Sequence, residues 1–224
     1  GQYIQAIDAA DPKKMEVLIR LETPEHSVLP PGHFIPTAEK YHMISFIDKW
    51  VLANVLKQQA LIDMGFQFSI NVSGESIGKE SFADFAEQAI CDAHIPGRQL
   101  CFEITETSAI SNISSTRAFM KRIGKYGCEF SLDDFGTGTS SYGYLKELPI
   151  QYLKIDGIFI RNVESEKINR MMVQSITEIS KEMGIKVIAE CVENEPALAH
   201  LTKMGVDYAQ GYHLHKPTRL SALL

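Results

Sequence analysis

The chain has 224 residues, 45% hydrophobic and 22% charged, which fits one α/β barrel domain with a substantial core. Twenty-two basic against 28 acidic side chains leave a formal charge of −6, which excludes a bulk nucleic-acid binder. No apolar run reaches membrane-spanning length and no secretory signal is read. The cysteines Cys91, Cys101, Cys128 and Cys191 lack CxxC or framework spacing. A cytoplasmic, reducing setting is the expectation. The sequence opens inside an apparent strand without a methionine. It is therefore read as a single domain, 1–224, cut from a larger protein that membrane anchors could tether.

In chain order, short apolar runs predict strands over 3–7, 15–20, 66–72, 100–105, 128–132, 152–155, 186–189 and 208–210. Amphipathic stretches between them predict helices over 35–60, 82–93, 116–126, 168–183 and 195–204, with a short turn near 142–147. Gly65, Gly127, Gly184 and Gly205 each follow a predicted helix end. Eight strands alternating with helices imply an α/β fold, a modified TIM-like (β/α)8 barrel. The seven residues 8–14 are too few for a crossover helix, so the first two strands are expected to pair antiparallel.

In such barrels the chemistry sits at the carboxyl ends of the strands. Glu16, Asn71, Glu103, the adjacent pair Asp133-Asp134, Lys154, Asp156, Glu190 and Gln210 all fall at or near predicted strand ends. Neighbouring carboxylates repel unless something positive lies between them. An oxygen-only donor set favours a hard cation, magnesium or manganese. Trp50 lies in an apolar helix pattern and reads as core. Met171, Met172, Met183 and Met204 read as helix packing, and Lys13-Lys14 as a charged turn. Of seven scattered histidines, only His213 and His215, beside Gln210, are candidates to touch a ligand.

These residues resemble the motif series of the EAL-domain cyclic-di-GMP phosphodiesterases. Glu16-Val17-Leu18-Ile19-Arg20 resembles the signature that names the family. Pro31-Gly32-His33-Phe34-Ile35-Pro36, Ile47-Asp48-Lys49-Trp50-Val51-Leu52, Asn71-Val72-Ser73 and Glu103-Ile104-Thr105-Glu106 follow in the family's order. Asp133-Asp134-Phe135-Gly136-Thr137-Gly138 is similar to its mobile catalytic loop. Leu153-Lys154-Ile155-Asp156, Ala189-Glu190-Cys191-Val192-Glu193 and Gln210-Gly211-Tyr212 complete the series. The departures are Tyr3, Val17, Thr139, Cys191 and Asn194, and none removes a candidate ligand.

The resemblance implies hydrolysis of cyclic-di-GMP to the linear dinucleotide pGpG by two-metal activation of water. Glu16, Asn71, Glu103 and Asp133 would hold one ion. Asp133 would bridge to a second, held with Asp134 and either Glu190 or Asp156. Lys154 would lie against the nucleophilic water, and Glu190 could alternatively be a general base. Leu18, Arg20 and Gln210 would contact substrate, Arg20 through the bidentate fork that suits a phosphate oxygen. Glu106 would anchor the loop over 135–141 by accepting hydrogen bonds from its amides or from hydroxyls such as those of Thr137 or Ser140. Homodimerisation and upstream sensory or GGDEF-type domains are expected by the same resemblance. A catalytically weak receptor for the dinucleotide is the alternative; it predicts gaps in the ligand set, and the sequence has none.

Overall fold

The computed structural model describes residues 1–7, 13–137 and 142–223. Gly138, Thr139, Ser140 and Ser141 of the predicted catalytic loop lie outside the described residues, as does most of the link between the first two strands.

Among the described residues ten strands are formed: β1 (Gln2–Ala6), β2 (Lys14–Val17), β3 (Leu21–Glu22), β4 (Val28–Leu29), β5 (Gln67–Asn71), β6 (Leu100–Thr105), β7 (Glu129–Phe135), β8 (Tyr152–Ile155), β9 (Lys186–Ala189) and β10 (Tyr208–Ala209). Eight close a barrel in the order β1-β10-β9-β8-β7-β6-β5-β2, while β3 and β4 form a separate hairpin. β1 runs antiparallel to both neighbours and every other barrel pairing is parallel. The expected antiparallel start is observed.

Strand alternation sorts the side chains. Outward residues such as Phe68, Phe102, Phe130 and Leu153 pack against the surrounding helices in the main core. Inward residues fill the barrel with Ile4, Cys101, Tyr152 and Ile188 below a polar upper layer. Lys14 does not belong to a charged turn: it is buried, donates to Gln67 Oε1 at 2.5 Å and lies 3.6 Å from the centre of the Tyr152 ring. Its position on a closing strand outweighs its sequence context.

The predicted helix over 35–60 is three pieces, Ile35–Lys40, Ile44–Val55 and Gln59–Asp63. His42, in the left-handed conformation at φ +58°, breaks the first join. Trp50 is 59% exposed, against the expectation of a core residue. The phase of Ile44–Val55 is set by Ile44, Asp48, Val51, Leu52 and Val55, and Trp50 falls outside that stripe. A buried aspartate in the stripe disguised its phase. Met171 and Met172 are likewise exposed, because Val173, Ile176, Thr177 and Ser180 form the buried face of Lys167–Glu182. Met183 and Met204 do pack against the core. No helix among the described residues is long and apolar enough to cross a membrane.

Candidate active site

The parallel strands bring their carboxyl ends to one face, and with them most of the expected residues. Lys154 on β8 is fully buried at the centre. Its ammonium lies 2.6 Å from Glu190, 3.0 Å from Glu103, and 3.4 Å from both Glu16 and Asp133. Glu16 also accepts hydrogen bonds from Asn71 Nδ2 at 2.8 Å and Gln210 Nε2 at 2.6 Å. One fixed cation thus faces four carboxylates, with Asp134 beside them.

Asp133 and Asp134 reach the same side through a local irregularity in β7. Strict alternation would send Asp134 outward and Phe135 into the barrel. The pairing with β8 slips between Leu132 and Phe135, and Asp134 adopts φ +56°. That bulge keeps Phe135 in the outer core, while oxygens of Asp133, Asp134 and Glu190 come within 4.8 Å of one another. Asp156 is near enough to raise Asp134 through its charge, and its Oδ1 accepts from Ile158 N at 2.7 Å, capping the short helix Gly157–Ile160. The geometry groups Glu190, and not Asp156, with the aspartate pair.

The electrostatics follow from burying several carboxylates around one ammonium. Burial raises Glu103 to about 8 despite Lys154, and raises Glu190 to about 7. Burial and the neighbouring Asp133 bring Asp134 to about 6. Burial works to raise Glu16 too, but Lys154, Gln210 and Asn71 outweigh it and hold Glu16 below the ordinary carboxylate range. Burial works to lower Lys154, but the surrounding carboxylates keep it well above its usual value. Glu103 Oε1 is buried without a hydrogen-bond partner among the described residues. An all-oxygen donor set with surplus negative charge and an unsatisfied carboxylate oxygen fits hard divalent cations.

These shifts set an expected pH dependence for the protein in EDTA. Folded Glu103, Glu190 and Asp134 hold protons that the unfolded chain has already released, so their stabilising contribution is complete below the ordinary carboxylate value. It is lost as pH rises through about 6, 7 and 8. Glu16 has the opposite sign, but its contribution is lost only in the acid range. The thermal midpoint in EDTA should therefore be lower at pH 8 than at pH 6. Magnesium should flatten the difference by replacing protons. An equal or higher midpoint at pH 8 in EDTA would contradict the assignment.

Glu106 is buried at the start of the helix Glu106–Ser111. Its Oε2 accepts from Gly136 N at 3.0 Å and its Oε1 from Tyr144 Oη at 2.5 Å. Glu106 thus meets the loop entrance at a backbone amide, that of Gly136, while the Thr137 hydroxyl donates to Asp134 O at 3.0 Å. Gly136 has φ +98°, and a Cβ there would come within 2.7 Å of Phe159. We expect Glu106→Ala to fold normally but to require several-fold more magnesium for half-maximal turnover. An unchanged metal dependence and rate would remove Glu106 from the anchor role.

Two further participants were not assigned from the sequence. Asp48 Oδ2 accepts from Ser73 N, Ser73 Oγ and Ser76 Oγ at 2.6–3.1 Å, clamping the turn that follows Asn71. Its place in the buried stripe of Ile44–Val55 was the available signal. Tyr144, the second partner of Glu106, had none. His213 instead meets Glu195 at 2.9 Å, and His215 packs on the Tyr3 ring at 4.4 Å.

Two cavities flank the cluster and share Leu18. One, about 370 Å³, includes Glu16, Arg20, Glu190 and Gln210 in its lining. The other, about 330 Å³, includes Asn71, Glu103 and Asp48. A larger cavity of about 560 Å³ lies beside Trp50 and Arg219; it shares Leu18 and Arg20 but contains none of the clustered carboxylates.

Barrel and site together define an oxygen-rich centre at the strand ends of an α/β barrel. The EAL domain family model matches residues 3–217, and the chain belongs to that family. It is 39% identical to the cyclic di-GMP phosphodiesterase PdeB of Shewanella oneidensis, over 99% of this chain and 26% of the relative. It is 34% identical to the cyclic di-GMP phosphodiesterase PdeF of Escherichia coli, over 92% of this chain and 28% of the relative. The chain thus spans little more than a quarter of these relatives' length. The solved structure of the PaMucR phosphodiesterase in complex with c-di-GMP is similar at TM-score 0.93 and 30% identity, covering 100% of this chain and 92% of that one.

Proposed function

We propose that this domain hydrolyses cyclic-di-GMP to the linear dinucleotide pGpG, using two magnesium or manganese ions. The observation that carries the reading is the complete oxygen set around Lys154, placed between two cavities that suit the two halves of a cyclic dinucleotide. Glu16, Asn71, Glu103 and Asp133 would hold one ion, and Asp133, Asp134 and Glu190 the other. When bound, such ions polarise a phosphate oxygen and supply hydroxide at neutral pH.

The chain's own residues do the rest. Lys154 holds the carboxylates at fixed separations and presents a permanent positive charge beside them. Gln210 and Asn71 each donate to Glu16, fixing its two oxygens. Arg20, exposed three residues past the end of β2, is available to a phosphate oxygen. The added water oxygen would bond to phosphorus as one P–O ester bond breaks, its leaving oxygen taking the proton. Homodimerisation and sensory or GGDEF-type domains in the longer protein belong to the same proposal.

Incubation with cyclic-di-GMP and magnesium, followed by chromatography, should yield the linear product; its absence would overturn the reading. Calcium should bind without supporting turnover, because it accepts more ligands at longer distances than the tight magnesium octahedron. At fixed magnesium, excess calcium should suppress turnover at least tenfold. Undiminished turnover would count against a two-metal site.

A further inference from the structure

Directly after Glu190 the backbone turns through Cys191 in the left-handed conformation, φ +53°. A side chain there is strained, yet this one fits a specific niche. A Cβ on Gly157 would lie 2.5 Å from the Cys191 sulfur, so the glycine leaves the room the thiol occupies. On its other side the sulfur is 3.8 Å from Arg161 Nη2. Arg161 is otherwise exposed. The same cavity is lined by Glu16, Glu190 and Gln210 at the reaction centre and by Arg161, Cys191 and Glu193.

A guanidinium held flank-on by a sulfur keeps most of its five donors for a ligand. Arg20 already supplies a cationic group close to Glu16, where a phosphate is expected. A second fork suits the pair of acceptors on a purine edge. Guanine presents two, O6 and N7, whereas adenine presents N7 beside an amine donor that a guanidinium cannot pair with. Resting on the function proposed above, we propose that Arg161 reads the O6/N7 edge of one guanine of the substrate, and that Cys191 is the positioning residue that holds it there.

The test compares equilibrium binding of cyclic-di-GMP and cyclic-di-AMP in calcium for the parent and three variants. Arg161→Ala should weaken cyclic-di-GMP binding by roughly 10- to 100-fold, the span of one bidentate base contact, and leave cyclic-di-AMP within about threefold. Arg161→Lys should fail to restore it, lacking the planar fork. Cys191→Gly should raise the thermal midpoint by relieving the left-handed strain while lowering the preference for cyclic-di-GMP. A merely structural cysteine would not couple those two changes. Equal losses for both dinucleotides in Arg161→Ala would make Arg161 a phosphate contact and overturn the base-reading role. An unchanged preference in Cys191→Gly would overturn its positioning role. Failure of the parent to bind cyclic-di-GMP at all would overturn the proposed function itself.

Discussion

Asn71→Ala and Glu16→Ala should each reduce turnover by roughly a hundredfold or more, about 2.7 kcal/mol of transition-state stabilisation, in a chain that still folds. Asn71 is the cleaner test. Its side chain is exposed at the end of β5, and the hydrogen bond seen for it runs to Glu16. Removing it takes one oxygen donor from the cluster and leaves Glu16 Oε1 without its amide partner, while the packed faces of β5 stay untouched. Glu16→Ala removes more: Gln210 Nε2 and the Lys154 ammonium both lose an acceptor. It should therefore combine loss of turnover with a modest loss of stability. Circular dichroism and a turnover assay on the purified variants decide the matter. Activity within about threefold of the parent, ~0.7 kcal/mol, would remove these residues from the metal site.

Lys154→Met should produce the largest stability loss of any single substitution at the site. The ammonium is completely buried and pairs with Glu16, Glu103, Asp133 and Glu190. Deleting one partner of a buried ionic cluster costs ~3–5 kcal/mol, because the remaining charges are left uncompensated. For a chain of this size that is about 2–4 °C of thermal midpoint per kcal/mol. Magnesium should recover part of the loss by returning positive charge to the same oxygens. Turnover should not return, since the fixed charge that orders the carboxylates is gone. Glu103→Gln makes the contrast. Burial already disfavours the charged form of Glu103, so its neutral replacement should be close to neutral in stability in EDTA, yet inactive. A Lys154→Met midpoint in EDTA equal to the parent's would show that the ammonium does not hold the cluster together.

Legibility in the sequence followed burial. β6, β8 and β9 match the predicted bounds at 100–105, 152–155 and 186–189, because strands packed between barrel interior and helices read as continuous apolar runs. β7 continues to Phe135, three residues past its predicted end, since a polar pair inside a bulge imitates a strand terminus. The short helices Gly74–Ile77, Glu106–Ser111 and Gly157–Ile160 were not foreseen. Each is too brief to show a 3.6-residue period, and each is started by a side-chain cap from the preceding strand end, Ser73, Thr105 or Asp156. Those caps direct the loops over the site, so the missed elements are the ones nearest the chemistry.

The inventory of oxygen donors, their order along the chain and their place at successive strand ends were determined by the sequence alone, because a parallel barrel delivers every strand's carboxyl end to one face. Their mutual arrangement was decided by the tertiary structure. Lys154 meets Glu103 across 51 residues and Glu16 across 138, distances that only barrel closure spans. Grouping Glu190 with the aspartates, and leaving Asp156 to cap a helix, depended on which way each chain turned after its strand. That turn is set at Asp134 and Cys191 by left-handed backbone, a conformation that Asp adopts occasionally and Cys rarely, and that the packed surroundings must impose.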